Sequence, residues 1–221
     1  MAGRENLDAG HVARYDGKMD SEAAAEVALL CGLGLGPNTT QIEFGPGTGQ
    51  FTIAAAPRCA RVVAVDISPP MLERLKDKVA ASGLGNVELV EAGFLSYAHR
   101  GPPADFVYSR FALHHLPDFW KATALLRTRA MLRPGGVLRL WDVVYDFPLA
   151  QAPSRIEAWC ATGGEEVEGE WSRAELEEHV RDEHSTFTWL IEPMFEQASF
   201  EIVDVVRSAD GFESKYLLRA V

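Results

Sequence analysis

The chain has 221 residues, 47% of them hydrophobic and 24% charged, and a formal net charge of −11. This length suits one large α/β domain, because about 70–75% of the unfolded surface can be buried at this size. The negative charge argues against nucleic acid or an anionic membrane surface as a partner, and no segment approaches the roughly 18 apolar residues that span a bilayer. A cytoplasmic protein is therefore expected.

The first predicted elements are a helix and a parallel sheet. An alanine-rich helix over residues 21–31 ends at the glycine-rich stretch 32–37, which a proline closes. From residue 40, apolar runs alternate with amphipathic helices, which predicts a parallel sheet covered by helices on both faces. The predicted strands are Thr40–Phe44, Arg61–Asp66, Val87–Glu91, Asp105–Ser109 and Val137–Val143.

Two helices between these strands carry clear boundary signals. One has Ser68 as its N-cap, with two prolines in its first turn. Another runs from about Asp118 to Leu132 and stops at the Pro-Gly-Gly sequence 134–136.

After residue 146 the alternation pauses. Residues 150–183 hold ten acidic and three basic side chains, and a capping box at Ser172–Glu175 opens a helix. A helix around Trp189–Gln197 follows, and the strands Glu201–Val206 and Glu213–Leu218 are joined by a tight turn, which predicts antiparallel pairing. The expected organisation is an N-terminal helical cap (1–38), a core (39–146), an acidic insertion or lid (147–185) and a final helix and hairpin (186–221).

The three cysteines predict neither a disulfide framework nor a metal site. Cys31, Cys59 and Cys160 are widely spaced and form no Cys-x-x-Cys or Cys/His ligand pattern. No metal is expected.

The segment Gln41–Gln50 leads from the first strand into a turn with glycine at 45, 47 and 49. It does not fit the G-x-G-x-x-G pattern of dinucleotide sites, and no phosphate-binding lysine follows. Asp66 ends the second strand, where a carboxylate can accept hydrogen bonds from both hydroxyls of a ribose or cap the next helix. Glu43 is placed to contact a cationic ligand group or to pair with a nearby base.

Segments 43–49 and 65–68 together resemble the first two motifs of the class I S-adenosylmethionine-dependent methyltransferases. The resemblance continues through segments 105–109, 112–118 and 132–138, and covers roughly residues 40–145 and the terminal hairpin. It implies an α/β, three-layer, Rossmann-like fold with a seven-stranded, mostly parallel sheet of order 3-2-1-4-5-7-6 and an antiparallel last strand. It also implies S-adenosylmethionine as cofactor and S-adenosylhomocysteine as product.

The resemblance assigns roles to several residues. The three glycines would approach the methionyl and ribose parts of the cofactor, and Asp66 would hold the ribose. Phe94 stands where such proteins often have an aspartate, so its ring would stack on the adenine instead. Arg110 would bind the cofactor carboxylate or a substrate acid, or pair with Glu43. The expected cofactor-binding residues are Tyr15, Glu43, Gly45, Gly47, Gly49, Asp66, Ile67, Met71, Gly93, Phe94, Ser109 and Arg110.

The candidate catalytic residues are His114, His115, Asp142 and Tyr145. A sulfonium methyl is already activated, so an amine or thiolate acceptor needs positioning more than proton removal. A phenol or alcohol would benefit from a base such as His115, Asp142 or Tyr145. One of the two histidines is expected to pack in the loop, and His11 and Tyr15 could fold over the site.

The expected function is methyl transfer to a small-molecule acceptor, neutral or cationic because the acidic insertion would repel anions. Trp159 and Trp171 would line the acceptor site or anchor the insertion. Two alternatives are a non-catalytic regulatory protein that binds S-adenosylmethionine and an NAD(P)-dependent oxidoreductase. The oligomeric state is not predicted.

Overall fold

The computed structural model describes residues 22–164 and 171–221, and these form one eight-stranded β-sheet with helices on both faces. His11 and Tyr15 lie outside the described residues. The strands are β1 (Thr40–Phe44), β2 (Arg61–Asp66), β3 (Val87–Glu91), β4 (Ala104–Arg110), β5 (Leu132–Tyr145), β6 (Thr186–Phe187), β7 (Phe200–Arg207) and β8 (Glu213–Ala220).

The strand order is β3-β2-β1-β4-β5-β8-β7. Strands β1 to β5 pair in parallel, and β8 pairs antiparallel with both β5 and β7. The predicted Rossmann-like topology is confirmed: when the short β6 is left out of the numbering, the order is the predicted 3-2-1-4-5-7-6, and the last strand is antiparallel. The one difference is an additional two-residue strand, β6, which pairs in parallel with the end of β5. Two residues are too few to show the alternation by which a strand is recognised in a sequence.

The helices are α1 (Ala23–Gly32), α2 (Gln50–Ala55), α3 (Pro69–Ala81), α4 (Asp118–Met131), α5 (Ala152–Cys160), α6 (Arg173–Asp182) and α7 (Thr188–Gln197). Two predicted caps are present: the Ser68 hydroxyl accepts a hydrogen bond from the Met71 amide, and Ser172 and Glu175 form the reciprocal capping box of α6. Among the described residues, no helix is long and apolar enough to cross a lipid bilayer.

Strand β5 begins earlier than predicted. Leu132 already pairs with Ala104, and regular pairing resumes only at Val137 opposite Phe106. The intervening Pro-Gly-Gly segment is therefore an irregularity within the strand rather than a separate turn, and Gly135 supplies the positive φ of 72° that it needs.

The two faces of the sheet pack against different helices. One face carries Ile42, Val63 and Val107 into a core with α4 and α7. On the other face, Val62 and Tyr108 pack with α1 and α2, and the Tyr108 ring stacks on Phe51 at a centroid distance of 3.7 Å. Burial on both faces leaves the strand ends and the loops that follow them as the place for a ligand.

Candidate active site

A cleft of about 860 Å³, including space open to solvent, lies at the carboxyl ends of the central strands. We call it the main cleft. Its walls come from the segments that follow β1, β2, β3 and β4. The predicted residues that it brings together are Gly45, Gly47, Asp66, Ile67, Met71, Gly93, Phe94, Arg110 and His115.

The glycine turn after β1 requires its glycines for conformation and for packing. Gly45, Gly47 and Gly49 have φ values of 70°, 52° and 90°, a region that side chains disfavour. A Cβ on Gly45 would lie 2.5 Å from the Ala112 side chain, and one on Gly49 would lie 2.1 Å from the Leu75 side chain. The turn therefore packs closely against the neighbouring loop and against α3, beside the cleft.

Asp66 presents a carboxylate to the main cleft at the end of β2. Its Oδ1 accepts a hydrogen bond from the Ser68 amide at 2.9 Å. Burial raises the pKa of Asp66 to about 6, while backbone hydrogen bonds from Ser68 and Gly47 oppose the shift. The carboxylate therefore lacks the solvation that an exposed aspartate has, and hydroxyl donors from a ligand would supply it.

Apolar side chains cover the part of the main cleft next to Asp66. Ile67 and Met71 follow β2, and Phe94 follows β3. The Phe94 ring stacks on Phe44 with a centroid distance of 4.4 Å. One face of Phe94 is therefore already occupied, so an adenine could use only the remaining face or the edge of the ring.

A smaller cleft of about 390 Å³ adjoins the glycine turn and shares Gly45, Gly47 and Arg110 with the main cleft. It contains Glu43, which is 3% exposed and accepts a hydrogen bond from the Thr52 hydroxyl. The Arg110 guanidinium lies 3.7 Å from the centroid of the Trp141 ring. A carboxylate and a guanidinium at one end of the site suit the ammonium and carboxylate of an amino-acid group.

Beside the main cleft lies a group of side chains that we call the histidine–carboxylate cluster: buried His114 and Asp142, and partly buried His179, Glu183 and Ser185. His114 Nδ1 is 2.5 Å from Asp142 Oδ1, and His114 Nε2 is 2.9 Å from Glu183 Oε2. His179 Nδ1 is 2.5 Å from the same Glu183 oxygen, and its Nε2 is 2.8 Å from the Ser185 hydroxyl.

The two neighbouring histidines differ in charge. Burial alone would lower the pKa of His114, but the charges of Asp142 and Glu183 raise it to about 10. For His115, burial and the charge on His114 lower the pKa to about 4. His115 lines the main cleft, with its Nδ1 3.6 Å from Glu183 Oε1. The residue facing the cleft is thus a neutral imidazole, and the one behind it is a paired cation.

Asp142 and His114 are held by the protein itself. Besides its contact with His114 Nδ1, the Asp142 carboxylate accepts hydrogen bonds from the backbone amides of Leu113, His114 and Val143. These contacts favour a positioning role for both residues, in place of the base role that the sequence suggested for Asp142.

Four residues predicted to contact the cofactor or the acceptor line neither of the two clefts: Tyr145, Ser109, Trp159 and Trp171. Tyr145 belongs to a buried aromatic cluster with Phe147, Phe187 and Phe212, and burial raises its pKa to about 12. Ser109 is fully buried in β4. Trp159 stacks on Phe212 at 4.7 Å, which supports the anchoring alternative, whereas Trp171 is 47% exposed.

Sequence reasoning missed two groups of residues. The first is the rest of the cleft wall after β3 and β4, which could have been inferred from its place at the carboxyl ends of these strands: Ala92, Leu95, Ser96, Phe111, Ala112 and Leu116. Within it, Phe111 has a φ of 48°, an uncommon backbone conformation that is concentrated at functional sites. The second group is His179, Glu183 and Ser185, which carry no recognisable motif.

Comparisons with known proteins agree with this architecture. Residues 42–136 match a family model described as a methyltransferase domain. An uncharacterized methyltransferase of Mycobacterium bovis is 30% identical over 161 residues, which span 63% of this chain and 75% of that protein. The chain spans about half the length of other curated relatives that it matches, which are also uncharacterized methyltransferases.

Two solved structures share the fold. A SAM-dependent methyltransferase from Aquifex aeolicus superposes with a TM-score of 0.67 at 17% identity, covering 97% of this chain and 99% of the other. The N-methyltransferase NodS from Bradyrhizobium japonicum, determined with S-adenosylhomocysteine, gives a TM-score of 0.60 at 20% identity, covering 90% and 86%.

The described residues fit the cofactor of these proteins. The cleft offers a partly desolvated carboxylate for ribose hydroxyls, an apolar wall for an adenine, and the Glu43 and Arg110 side chains for an amino-acid group. The chain belongs to the methyltransferase family, and its fold is that of the class I S-adenosylmethionine-dependent methyltransferases.

Proposed function

We propose that the protein transfers a methyl group from S-adenosylmethionine to a small-molecule acceptor and releases S-adenosylhomocysteine. The observation that carries the proposal is the main cleft itself, where the glycine turn, Asp66 and an apolar wall meet at the carboxyl ends of the parallel strands. A protein that bound S-adenosylmethionine without catalysing methyl transfer would need only the glycine turn, Asp66 and the apolar wall. The presence of His115 in the opposite segment of the wall favours an enzyme.

The described residues have distinct roles in this proposal. Asp66 binds the ribose, Ile67 and Met71 pack on the adenine, and the turn at 45–49 holds the methionyl part with Glu43 and Arg110. The bound cofactor supplies a methyl group already activated by a sulfonium. The chain then has to orient the acceptor in line with that methyl group and to exclude water, which the buried walls of the cleft promote.

The acceptor is proposed to be small and neutral or cationic. The chain carries a net charge of −11, and residues 150–183 contain ten acidic and three basic side chains, so the overall field of the chain disfavours anions. The fold does not select nitrogen, oxygen, sulfur or carbon as the methylated atom. A cytoplasmic setting and the lack of a nucleic-acid partner remain predictions from the charge and composition.

Calorimetric titrations with S-adenosylmethionine, S-adenosylhomocysteine and NAD test the cofactor assignment directly. We expect binding of the first two in the micromolar range and none of NAD, because the turn lacks the third glycine of the dinucleotide pattern. A screen of acceptors for S-adenosylhomocysteine release then tests turnover. Binding without release by any acceptor would favour the regulatory alternative, and binding of NAD alone would overturn the proposal.

Replacing His115 with alanine is expected to lower kcat while leaving the affinity for S-adenosylmethionine within about twofold. The reason is that His115 belongs to the segment after β4, whereas the glycine turn and Asp66, which are proposed to hold the cofactor, follow β1 and end β2. If the imidazole removes a proton from the acceptor, the loss in kcat should be about 10²–10⁴-fold. The measurement is kcat with an acceptor found in the screen, beside calorimetry of the cofactor.

The matched control for this variant is His99→Ala. His99 lies outside the cleft, within hydrogen-bonding distance of the Tyr97 hydroxyl and the Pro102 carbonyl. A His115→Ala variant that loses cofactor affinity or thermal stability but keeps its kcat would show that His115 only packs.

A further inference from the structure

We infer that His114, His179 and Glu183 bind one divalent transition-metal ion of the zinc class, next to the main cleft. Their ligand atoms all lie within 4.8 Å of one another. His114 Nε2 and His179 Nδ1 both face Glu183 Oε2, at 2.9 Å and 2.5 Å. Tetrahedral zinc bonds of about 2.0–2.1 Å place neighbouring ligand atoms about 3.3 Å apart. Small outward movements of these side chains would therefore open a coordination site.

The outer hydrogen bonds of both imidazoles match those of metal ligands. His114 uses its other nitrogen, Nδ1, for Asp142, and His179 uses its other nitrogen, Nε2, for the Ser185 hydroxyl. Histidine ligands almost always have their second nitrogen bonded to a carboxylate, a backbone carbonyl or a water, because this orients the ring toward the ion. Asp142 is such a partner, and the Ser185 hydroxyl offers His179 an oxygen acceptor in the same position. Asp142 in turn accepts hydrogen bonds from three backbone amides, so the residue that orients His114 is itself held in place.

The charge of the cluster also suits a divalent cation. Asp142 and Glu183 bring two carboxylates into a buried environment, with side-chain exposures of 2% and 15%. Buried charges need compensation, since their transfer from water is costly. One divalent ion would take the place of the His114 proton, which would leave Nε2 for the solvent, and would neutralise both carboxylates with the imidazoles neutral.

The position of the site suggests what the ion would do. His114 lies in the loop between β4 and α4, whereas His179 lies in α6 and Glu183 directly follows it. An ion would therefore tie the predicted lid segment to the core of the domain. Three protein ligands leave one tetrahedral position open, and His115, which contacts Glu183 Oε1 at 3.6 Å, lies between this site and the main cleft.

The test uses the full chain without an affinity tag, stripped of metal with a chelator and titrated with Zn²⁺ by calorimetry. We expect about one ion per chain, with Co²⁺ giving the visible spectrum of a four-coordinate nitrogen and oxygen site. Glu183→Gln and His179→Ala should abolish this binding. Ser185→Ala, which removes only the hydroxyl bonded to His179, should weaken it by about 10- to 100-fold.

His99→Ala is the matched control, because it removes a histidine outside the cluster, and it should bind Zn²⁺ like the unchanged chain. Retained affinity for S-adenosylmethionine would show that each variant is folded, so a failure of the metal site is distinguishable from a failure of the proposed function. Substoichiometric Zn²⁺ in the unchanged chain, or equal uptake by Glu183→Gln, would overturn the proposal.

Discussion

Replacing Asp66 with alanine is expected to weaken the binding of S-adenosylmethionine by about 1.5–3 kcal/mol, or about 10- to 150-fold. The carboxylate lies in the main cleft at the end of β2, where it can accept hydrogen bonds from both ribose hydroxyls. Hydrogen bonds to a charged acceptor in a partly desolvated site are the stronger kind. Calorimetry with purified protein measures the effect, and cooperative thermal unfolding of the variant confirms that it is folded.

The pKa of Asp66 also predicts how the affinity for S-adenosylmethionine depends on pH. The pKa of Asp66 is raised to about 6 by burial in the cofactor-free protein. As the pH falls through about 6, the carboxylate becomes protonated and is a poorer acceptor. The affinity should therefore be constant well above pH 6 and should fall by up to about tenfold per pH unit below it.

Asp66→Asn keeps the shape of the side chain but does not titrate, so its affinity should be weak and independent of pH in this range. An Asp66→Ala variant with unchanged affinity would refute the ribose assignment. A pH dependence that persists in Asp66→Asn would assign the titration to another group.

Replacing Glu26 with alanine is expected to lower the free energy of unfolding by about 3–5 kcal/mol. Glu26 in α1 and Arg139 in β5 form a two-point ion pair, with N–O distances of 2.7 and 2.8 Å, and their side chains are 6% and 5% exposed. The substitution leaves the guanidinium buried without its carboxylate, and this accounts for most of the expected loss. Urea unfolding of the purified variant measures it.

Two further variants test whether the loss of stability comes from leaving a buried charge unpaired rather than from losing any ion pair. Arg173→Ala removes exposed ion pairs with Glu157 and Glu177 and should lower the free energy of unfolding far less than Glu26→Ala does, because solvent screens these pairs. Replacing both Glu26 and Arg139 with apolar residues of similar size should recover much of the stability, since no unpaired charge remains. Equal losses for Glu26→Ala and Arg173→Ala would contradict this account.

Local signals in the sequence determined the parallel core of the sheet, the caps and the terminal hairpin. Val62–Val65 is a continuous apolar run, which specifies a buried strand by its composition, and Thr40–Phe44 alternates polar and apolar residues with the period of a strand. Ser68 and the capping box at residue 172 act through hydrogen bonds within a few residues, so their partners could be identified directly. The glycine turn and Asp66 were found in the same way, and the order of the strands then brought them into one cleft.

Only the tertiary structure decided which distant polar groups meet. Nothing near His114 in the sequence indicates that it lies between Asp142 and Glu183, because these residues come from three separate segments that the sheet and α6 bring together. Likewise, the stacking of Phe94 on Phe44 and the pairing of Glu26 with Arg139 depend on packing between elements. A short-range pattern records the conformation of its own segment, whereas charge pairing and ring stacking depend on which segments pack together.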